Sequence, residues 1–359
     1  IQSADLVGPF GASLIIMWAN AVIYGLMGGR RRQLQGLAAA CVVSLFLASV
    51  VYGFVRLKTV TALITAAPKL TMAAVQGDIQ VGMKWNPQQL KANLAAQVAL
   101  TRKTSGAQVV LWPESAIEEW LPDDLARLPA PFVQSLQLKG AYFIFGARSF
   151  SGNPGTSDLK AFNTAFLMDA TGHILNRYHK QVLLAFGEYL PFSSILSKLP
   201  GVPFSEGFTP GAGPQTLNLA GDVRIAPLIC YEDLIPGLSR QFVKQRKANL
   251  LVNLTNDAWY GRSIAPWQHA WLAQWRAIET RRSLLRVTNT GLTALINAKG
   301  QIEETLPIFV PGVLETRVDI LEGETPYVRY GDWFAWGATA ISLAILCLCA
   351  IRRRSQPEP

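Results

Sequence analysis

The sequence predicts a layered α/β domain flanked by membrane-spanning helices. Short apolar runs typical of buried strands alternate with helical stretches through the middle of the chain, and such alternation implies helices packed on sheets. Long uncharged runs lie towards both ends. The composition agrees, since 50% of the 359 residues are hydrophobic and only 16% are charged. This length suffices for one large domain and a few spanning helices.

Three uncharged runs are long enough to cross a bilayer, which takes about 20 apolar residues. A buried core helix of such length seldom lacks a polar face, so membrane spanning is the better interpretation. The runs extend from Leu6 to Met27, from Gln33 to Val55 and from Trp333 to Ile351.

Arginine triplets at Arg30–Arg32 and Arg352–Arg354 directly follow the first and third runs. Basic residues in short segments beside spanning helices favour the cytoplasmic side, so both triplets are expected there. Because the chain begins with Ile1 rather than Met, we expect it to be a fragment or a processed chain. The predicted order is two membrane helices at 1–58, an external domain at 59–332, a spanning helix at 333–351 and a cytoplasmic tail at 352–359.

The external region contains strand and helix candidates in alternation. Apolar runs predict strands at Leu70–Gln76, Gln108–Trp112, Tyr142–Ala147, Thr164–Asp169, Ile174–Tyr178, Val223–Ile229, Leu250–Asn253, Leu284–Thr288 and Leu292–Asn297. Helices are predicted at Gln88–Lys103, Asp123–Leu136, Leu238–Lys247 and Pro266–Arg282. Pro266 suits the first position of its helix. Stretches rich in Gly and Pro at 151–156 and 201–214 predict long loops.

The formal net charge of +9 favours an anionic partner. The sequence has no zinc-ligand spacing, no RNA-binding aromatic motif and no basic base-reading helix, so we expect no nucleic acid partner. Anionic lipid headgroups suit the spanning runs better. The three histidines, His173, His179 and His269, have no ligand-like spacing, and we expect neither a metal nor another cofactor.

Cys230 is the only cysteine in the polar part of the chain, because Cys41, Cys347 and Cys349 lie inside apolar runs. It stands where the predicted strand Val223–Ile229 ends. In layered α/β folds, side chains at strand carboxyl ends reach the crevice where ligands bind. A lone thiol is more often a small buried core residue, but two further polar groups favour a nucleophile here.

Glu114 and Lys180 also follow predicted strands, which supplies a carboxylate and an ammonium beside the thiol of Cys230. A nearby ammonium favours the thiolate, and a carboxylate can take the thiol proton and return it to a leaving group. The ammonium and a backbone N–H near Tyr231 can stabilise an oxyanion. These groups suffice for acyl transfer through a thioester.

Five motifs in this chain form a specific set. They are VQGDI…KW at Val75–Trp85, LWPESA around Glu114, YHK…FGEYLPF from Tyr178 to Phe192, ICYEDL around Cys230, and NLTNDAWYG…QHAWLAQWRAIETRR from Asn253 to Arg282. With these motifs the sequence resembles the nitrilase superfamily and, within it, the membrane-bound apolipoprotein N-acyltransferases. The resemblance covers almost the whole chain.

The resemblance implies a nitrilase-like α-β-β-α sandwich outside a helical membrane bundle. It implies a triad in which Cys230 is the nucleophile, Glu114 the general base and acid, and Lys180 the oxyanion stabiliser. Glu188 matches the additional glutamate that holds the lysine. Tyr231, Glu232 and Trp85 match further positions that support the site or bind substrate.

The reaction implied by the resemblance has two steps. Cys230 takes an acyl chain from a phospholipid, typically phosphatidylethanolamine, to form a thioester. The N-terminal amine of the diacylglyceryl-modified cysteine of an apolipoprotein then accepts that chain. The implied location is the bacterial inner membrane, with the domain on the periplasmic side.

Two other functions remain open on the sequence. A membrane-tethered amidase of the same superfamily would use the triad to hydrolyse a small amide, with water resolving the thioester. A catalytically silent domain would only bind lipids or lipoproteins. The spanning runs favour a lipid substrate over the first, and the complete set of three groups argues against the second.

Two apolar features near the site raise a question of lipid access. The loop Leu190–Leu199 is rich in bulky side chains, namely Phe192, Ile195, Leu196 and Leu199, and we expect it to dip into the outer leaflet. The tryptophans Trp259, Trp267, Trp271 and Trp275 are interpreted either as core residues or as a lipid-facing lid.

Overall fold

A computed structural model describes residues 1–28, 32–153, 155–156, 158–193 and 207–354, and the side chains of all these except 32–34 and 352–354. Its helices are α1 Ala4–Val7, α2 Phe10–Met27, α3 Arg32–Ala66, α4 Leu90–Thr101, α5 Ala130–Leu136, α6 Pro236–Arg246, α7 Ala265–Thr280, α8 Pro326–Tyr330 and α9 Trp333–Arg354. Its strands are β1 Lys69–Gln76, β2 Val109–Leu111, β3 Ile117–Pro122, β4 Tyr142–Ser151, β5 Lys160–Met168, β6 Ile174–His179, β7 Leu217–Asn218, β8 Arg224–Ile229, β9 Leu250–Thr255, β10 Leu284–Thr288, β11 Ala294–Ile296, β12 Ile302–Thr305 and β13 Gly312–Asp319.

The strands form two sheets of mixed direction. The first has the order β13–β1–β2–β4–β5–β6 with β3 beside β4, and the second has the order β12–β11–β10–β9–β8–β7. The central strands β1, β2 and β4 are parallel, as are β8, β9 and β10. Parallel neighbours need crossover connections, which contain α4 and α5 in the first sheet and α6 and α7 in the second.

Alternating side chains explain how the layers stack. In β4, Phe143 and Phe145 belong to a core cluster that includes Val133 of α5. Ile144 between them belongs to a second cluster, which also contains Leu228 of β8 and Phe242 of α6. Because neighbouring strand residues point to opposite faces, the first sheet packs on helices with one face and on the second sheet with the other. The predicted α-β-β-α sandwich is confirmed.

Among the described residues, three helices are long and apolar enough to span a membrane: Phe10–Met27, Gln35–Ala66 and Trp333–Ile351. A buried ion pair network joins α1 and α3 to the sandwich. The Asp5 carboxylate of α1 lies 2.6 Å from Arg56 Nε of α3 and 2.8 Å from Arg281 Nη2, just after α7. The Tyr52 hydroxyl donates to the same carboxylate at 2.7 Å. One carboxylate therefore pairs with two guanidinium groups where α3 meets the domain.

The first two membrane runs differ in detail from the prediction. The run Leu6–Met27 is divided, because Gly8 has a φ of 65° and Pro9 precedes α2. The second helix does not end at Val55 but continues to Ala66, past the predicted boundary between residues 58 and 59. No proline lies between Arg32 and Pro68, so the helix continues through its basic residues Arg56 and Lys58 to the domain.

Edge strands and one helix were also predicted incorrectly. The predicted helix Asp123–Leu136 is reduced to Ala130–Leu136, because Pro129 caps it and Arg127 pairs with His173 in an isolated bridge. β3, β7, β12 and β13 were not predicted. All four lie beside or at an edge of a sheet. β7 has only two residues, and the other three carry charged residues on an exposed face, so their apolar pattern is weak.

Candidate active site

The ends of three strands bring the predicted triad residues together. Glu114 comes shortly after β2, Lys180 directly after β6 and Cys230 directly after β8, so both sheets contribute. Lys180 Nζ lies 3.7 Å from Glu114 Oε1. The charges of both side chains act on the Cys230 thiol. We refer to these three residues and Glu188 as the strand-end cluster.

Lys180 is the buried cation of this cluster, with a side chain that is 2% exposed. Its Nζ donates to the Glu188 carboxylate at 2.9 Å. Burial disfavours its charge, but Glu114, Cys230 and Glu188 outweigh burial and raise the pKa of Lys180 above its ordinary value. The side chain is therefore an ammonium at physiological pH.

Glu114 has a donor for each carboxylate oxygen. Asn163 Nδ2 donates to Oε1 at 2.8 Å, and the backbone N–H of Asn256 donates to Oε2 at 3.0 Å. Asn163 also donates to Glu188 Oε1 at 2.9 Å, so one amide links the two carboxylates. Lys84 Nζ donates to the backbone carbonyl of Glu114 at 3.2 Å. These contacts fix the orientation of the Glu114 carboxylate.

Cys230 occupies a sharp turn, with a φ of 53° in the left-handed region that non-glycine residues seldom adopt. It begins the 3-10 turn Cys230–Leu234 immediately after β8. Burial and the Glu114 charge raise the pKa of the thiol above its ordinary value, against the opposing effects of Lys180 and a hydrogen bond with Thr255. The resting group is therefore a neutral thiol, which needs a base when it attacks.

Glu232 connects the turn after Cys230 to the segment after Lys180. Its Oε2 accepts the Ile229 N–H at 2.8 Å, while its Oε1 accepts the N–H groups of Gln181 at 2.6 Å and Val182 at 3.0 Å. The Tyr178 hydroxyl donates to Oε1 at 2.9 Å. Burial raises the pKa of Glu232 to about 7, although the backbone donors favour the carboxylate. Glu232 therefore holds the segment after Lys180 and the turn that begins at Cys230 together.

Trp85 and Tyr231 both lie partly buried. Trp85 has a φ of 61°, and its ring stacks on Trp259 with centroids 5.6 Å apart. The backbone N–H of Trp85 donates a hydrogen bond to the Glu118 carboxylate. Tyr231 follows Cys230 in the same 3-10 turn.

Trp259 is 62% exposed, so its interpretation as a core residue is wrong. Trp271 is also exposed, whereas Trp267 and Trp275 are partly buried and Trp267 packs against a core cluster.

Three residues of the site were not identified from the sequence. Asn163 lies in the middle of β5, and Asn256 directly follows β9. A polar amide in or just after an apolar strand was the feature by which the sequence could have indicated them. Lys84 precedes Trp85 in the KW motif. Burial lowers the pKa of Lys84 to about 8, and Glu114 and Glu118 oppose that effect.

Some predicted features lie outside the described residues. Of the apolar loop Leu190–Leu199, Phe192 is described and is 78% exposed, whereas Ile195, Leu196 and Leu199 are not described. The side chains of both arginine triplets are also outside the described set. Within the described part of the chain, no group of three or more His, Cys, Asp or Glu side chains could hold a metal ion.

Sequence comparison identifies close relatives of this chain. The family model described as carbon-nitrogen hydrolase matches residues 71–325. The apolipoprotein N-acyltransferase of Geobacter metallireducens is 36% identical over 99% of this chain and 68% of its own length. That of Azotobacter vinelandii is 36% identical over 81% of this chain and 55% of its own length. The chain thus spans between about half and two thirds of these relatives.

Solved structures support the same fold. A Saccharomyces cerevisiae member of branch 10 of the nitrilase superfamily has a TM-score of 0.51 at 17% identity, covering 70% of this chain and 90% of its own. The glutamine-dependent NAD+ synthetase of Acinetobacter baumannii has a TM-score of 0.51 at 16% identity, covering 70% and 46%. Together with the three helices of spanning length, the relatives indicate a membrane protein. The chain belongs to the carbon-nitrogen hydrolase family and, within it, to the apolipoprotein N-acyltransferases.

Proposed function

We propose that the chain moves an acyl chain from a phospholipid to the N-terminal amine of an apolipoprotein, through a thioester on Cys230. The carrying observation is the strand-end cluster, in which a buried ammonium and an oriented carboxylate act on one thiol. The printed names of the relatives support the acceptor. Phosphatidylethanolamine is the proposed donor, and a diacylglyceryl-modified cysteine is the proposed acceptor.

The first step forms the thioester. Glu114 removes the proton from Cys230 Sγ as the sulfur attacks the ester carbonyl of the phospholipid. Lys180 Nζ and a backbone N–H at Tyr231 stabilise the oxyanion that develops. The intermediate then expels the glycerol oxygen, which takes the proton from Glu114. The products are a lysophospholipid and an acylated Cys230.

The second step regenerates the enzyme. The acceptor amine attacks the thioester carbonyl and transfers a proton to Glu114. The carbon–sulfur bond breaks, the amide is released, and Cys230 recovers a proton from Glu114. Lys180 stabilises the oxyanion and then the departing thiolate by its charge. No other group needs to gain or lose a proton over the cycle.

Other side chains act by holding these groups in position. Glu188 binds the Lys180 ammonium, and Glu232 ties the two segments that carry Lys180 and Cys230. Trp85 is proposed to contact substrate. Its buried indole Nε1 has no hydrogen-bond acceptor among the described residues, so it can donate to a substrate oxygen.

The proposed location is the bacterial inner membrane, with residues 59–332 forming the catalytic domain on the periplasmic side. Residues 1–58 and 333–351 then provide the membrane helices, and 352–359 form a cytoplasmic tail. The two arginine triplets support this orientation by the bias of basic residues towards the cytoplasm. The ion pairs of Asp5 with Arg56 and Arg281 support a domain held against the membrane helices.

The alternative amidase function shares the same three groups and differs in the acceptor. Incubation with phospholipid carrying a labelled acyl chain, followed by a diacylated cysteinyl peptide, separates the two. We expect the peptide amine to discharge the thioester much faster than water does. Equal discharge in the presence and absence of the peptide would refute the transferase and favour the hydrolase. An N-acetylated copy of the peptide is the matched control, because it lacks the free amine.

A further inference from the structure

His269 of α7 is buried between two aspartates. Its Nδ1 lies 2.8 Å from Asp257 Oδ1, and its Nε2 lies 2.8 Å from Asp233 Oδ1. Arg286 of β10 binds the other oxygens of the same aspartates, with Nη2 3.5 Å from Asp257 Oδ2 and a hydrogen bond from Nη1 to Asp233 Oδ2. All four side chains are at most 5% exposed. We refer to them as the ion cluster.

The ion cluster lies directly behind the strand-end cluster. Asp233 belongs to the same 3-10 turn as Cys230, and Asp257 begins the 3-10 turn that follows β9. Asn256, the neighbour of Asp257, provides the backbone N–H that holds Glu114 Oε2. His269 thus connects the turn that presents the nucleophile to the turn that orients the carboxylate.

The hydrogen-bond pattern fixes the protonation of His269. An ionised carboxylate can only accept hydrogen bonds, so a ring nitrogen 2.8 Å from it must donate. Both ring nitrogens face such oxygens, and a neutral imidazole has only one N–H. An imidazolium with Arg286 also balances the two aspartates, giving a cluster of zero net charge. Burial lowers the pKa of His269, but Asp233 and Asp257 outweigh burial and Arg286 and raise it to about 9.

We propose that His269 is a positioning residue that acts as an imidazolium at neutral pH, tying the Cys230–Leu234 turn to the Asp257–Tyr260 turn and so aligning the Cys230 thiol with the Glu114 carboxylate. This inference rests on the proposed acyl transfer, because the aligned groups are those of that reaction. The groups facing the imidazole are Asp233, Asp257 and Arg286, and the centroid of the Tyr260 ring lies 6.4 Å from that of His269, with the two rings nearly perpendicular.

The sign of the pH dependence follows from the raised pKa. His269 binds its proton more tightly in the folded chain than in an unfolded one, where the ordinary pKa is about 6.5. Its stabilising contribution is therefore complete below about pH 6.5 and is lost as the pH rises through about 9. Above that pH one of the two carboxylate contacts breaks, and alignment is expected to loosen.

Nitrogen NMR of the histidine side chains tests the charge directly in the intact chain in lipid nanodiscs. The sequence has three histidines, and His173→Gln removes one signal. Burial lowers the pKa of His179, so at pH 7.5 it should be neutral while His269 carries protons on both nitrogens. Titration of the doubly protonated signal near pH 9 is expected. A neutral single tautomer for His269 at pH 7.5 would overturn the proposal.

Acylation kinetics test the positioning role. His269→Gln keeps one donor nitrogen but replaces the other with a carbonyl oxygen, which cannot donate to an aspartate. Only one turn then stays tied, and we expect Cys230 acylation to slow by about tenfold to a hundredfold. The rate of the parent chain should also decline above about pH 9, and this decline should be absent in the variant. His173→Gln is the matched control and should behave like the parent chain, because His173 lies on the surface turn between β5 and β6.

Two results separate this inference from the proposed function. A His269→Gln variant that acylates Cys230 with the rate and pH profile of the parent chain would refute the inference alone. Failure of the parent chain to form any Cys230 adduct would refute the proposed function, and the NMR result would still decide the charge of His269. If His269→Gln does not fold, the NMR titration and the pH profile of the parent chain decide the proposal.

Discussion

The chain buries two charged clusters side by side, and they differ in how completely their charges are matched. In the ion cluster, Asp233 and Asp257 face His269 and Arg286, so that two negative charges meet two positive charges. In the strand-end cluster, one ammonium meets two carboxylates beside a neutral thiol.

This difference indicates which of the two clusters can exchange a proton during the reaction. A balanced set of hydrogen-bonded charges has no proton to exchange without breaking a contact, which suits a fixed support. In the strand-end cluster, Lys180 pairs more closely with Glu188, at 2.9 Å, than with Glu114, at 3.7 Å. The other ammonium nearby, Lys84, donates to the backbone carbonyl of Glu114 and not to its carboxylate. The Glu114 carboxylate is therefore the group best placed to accept a proton.

The largest expected effect comes from Cys230→Ala, which removes the nucleophile. We expect no acyl adduct and no product, while the thermal unfolding midpoint stays close to that of the parent chain. Incubation with labelled phospholipid measures the adduct and the product, and thermal unfolding measures the midpoint. Cys41→Ala is the control, because Cys41 is an exposed thiol on the spanning helix α3, and its labelling should be unchanged. Acyl transfer by Cys230→Ala would contradict the nucleophile role.

Glu114→Gln should have the next largest effect, because it keeps the shape of the side chain but removes the base. Loss of general base catalysis is expected to slow thioester formation by about 10²–10⁴-fold. Single-turnover acylation measures this rate. Glu119→Gln, an exposed neighbour on β3, is the matched control and should leave the rate unaltered. Turnover of Glu114→Gln at the parent rate would remove Glu114 from the mechanism.

Glu232→Gln should weaken the link between the segment after Lys180 and the turn that begins at Cys230, without removing a reacting group. One carboxylate oxygen is replaced by an NH₂ group that faces backbone N–H donors, at a cost of about 1–3 kcal/mol in unfolding free energy. We expect slower acylation as well, by about tenfold. Denaturant unfolding and single-turnover kinetics measure the two effects. An unfolding free energy equal to that of the parent chain would show that these hydrogen bonds are not formed.

The smallest expected effect is that of Phe192→Asp, which lies outside both clusters. An exposed aromatic side chain next to a membrane is expected to contact lipid, so a charge there should reduce acylation from vesicles by a few fold. Acylation from a short soluble ester should be nearly unaffected. Equal effects on both donors would refute membrane contact by this loop.

The sequence predicted the centre of the fold better than its edges. β1, β4, β8, β9 and β10 are buried apolar runs, so their identity was visible from residue type alone. β13 carries Glu315 and Arg317 on its exposed face, and it forms only because β1 provides an antiparallel partner far away in the chain. A strand that depends on a partner distant in sequence has no strand signal in its own residues.

The same distinction applies to the site. Glu114, Lys180 and Cys230 could be singled out because each is a reactive residue type just after a predicted strand. Asn163 and His269 could not, since their roles depend on partners that the fold brings together. His269 contacts Asp233 from 36 residues away, and Asn163 contacts Glu114 from 49 residues away.

The most direct test of the central claim uses a chain in which Cys230 is the only thiol. The variant Cys41→Ala/Cys347→Ala/Cys349→Ala removes the other three cysteines. Incubation with phospholipid of a single acyl composition should increase its intact mass by one acyl group, located on Cys230 by fragmentation and released by neutral hydroxylamine. A chain whose mass stays unchanged under conditions where acceptor peptide is acylated would contradict the thioester account.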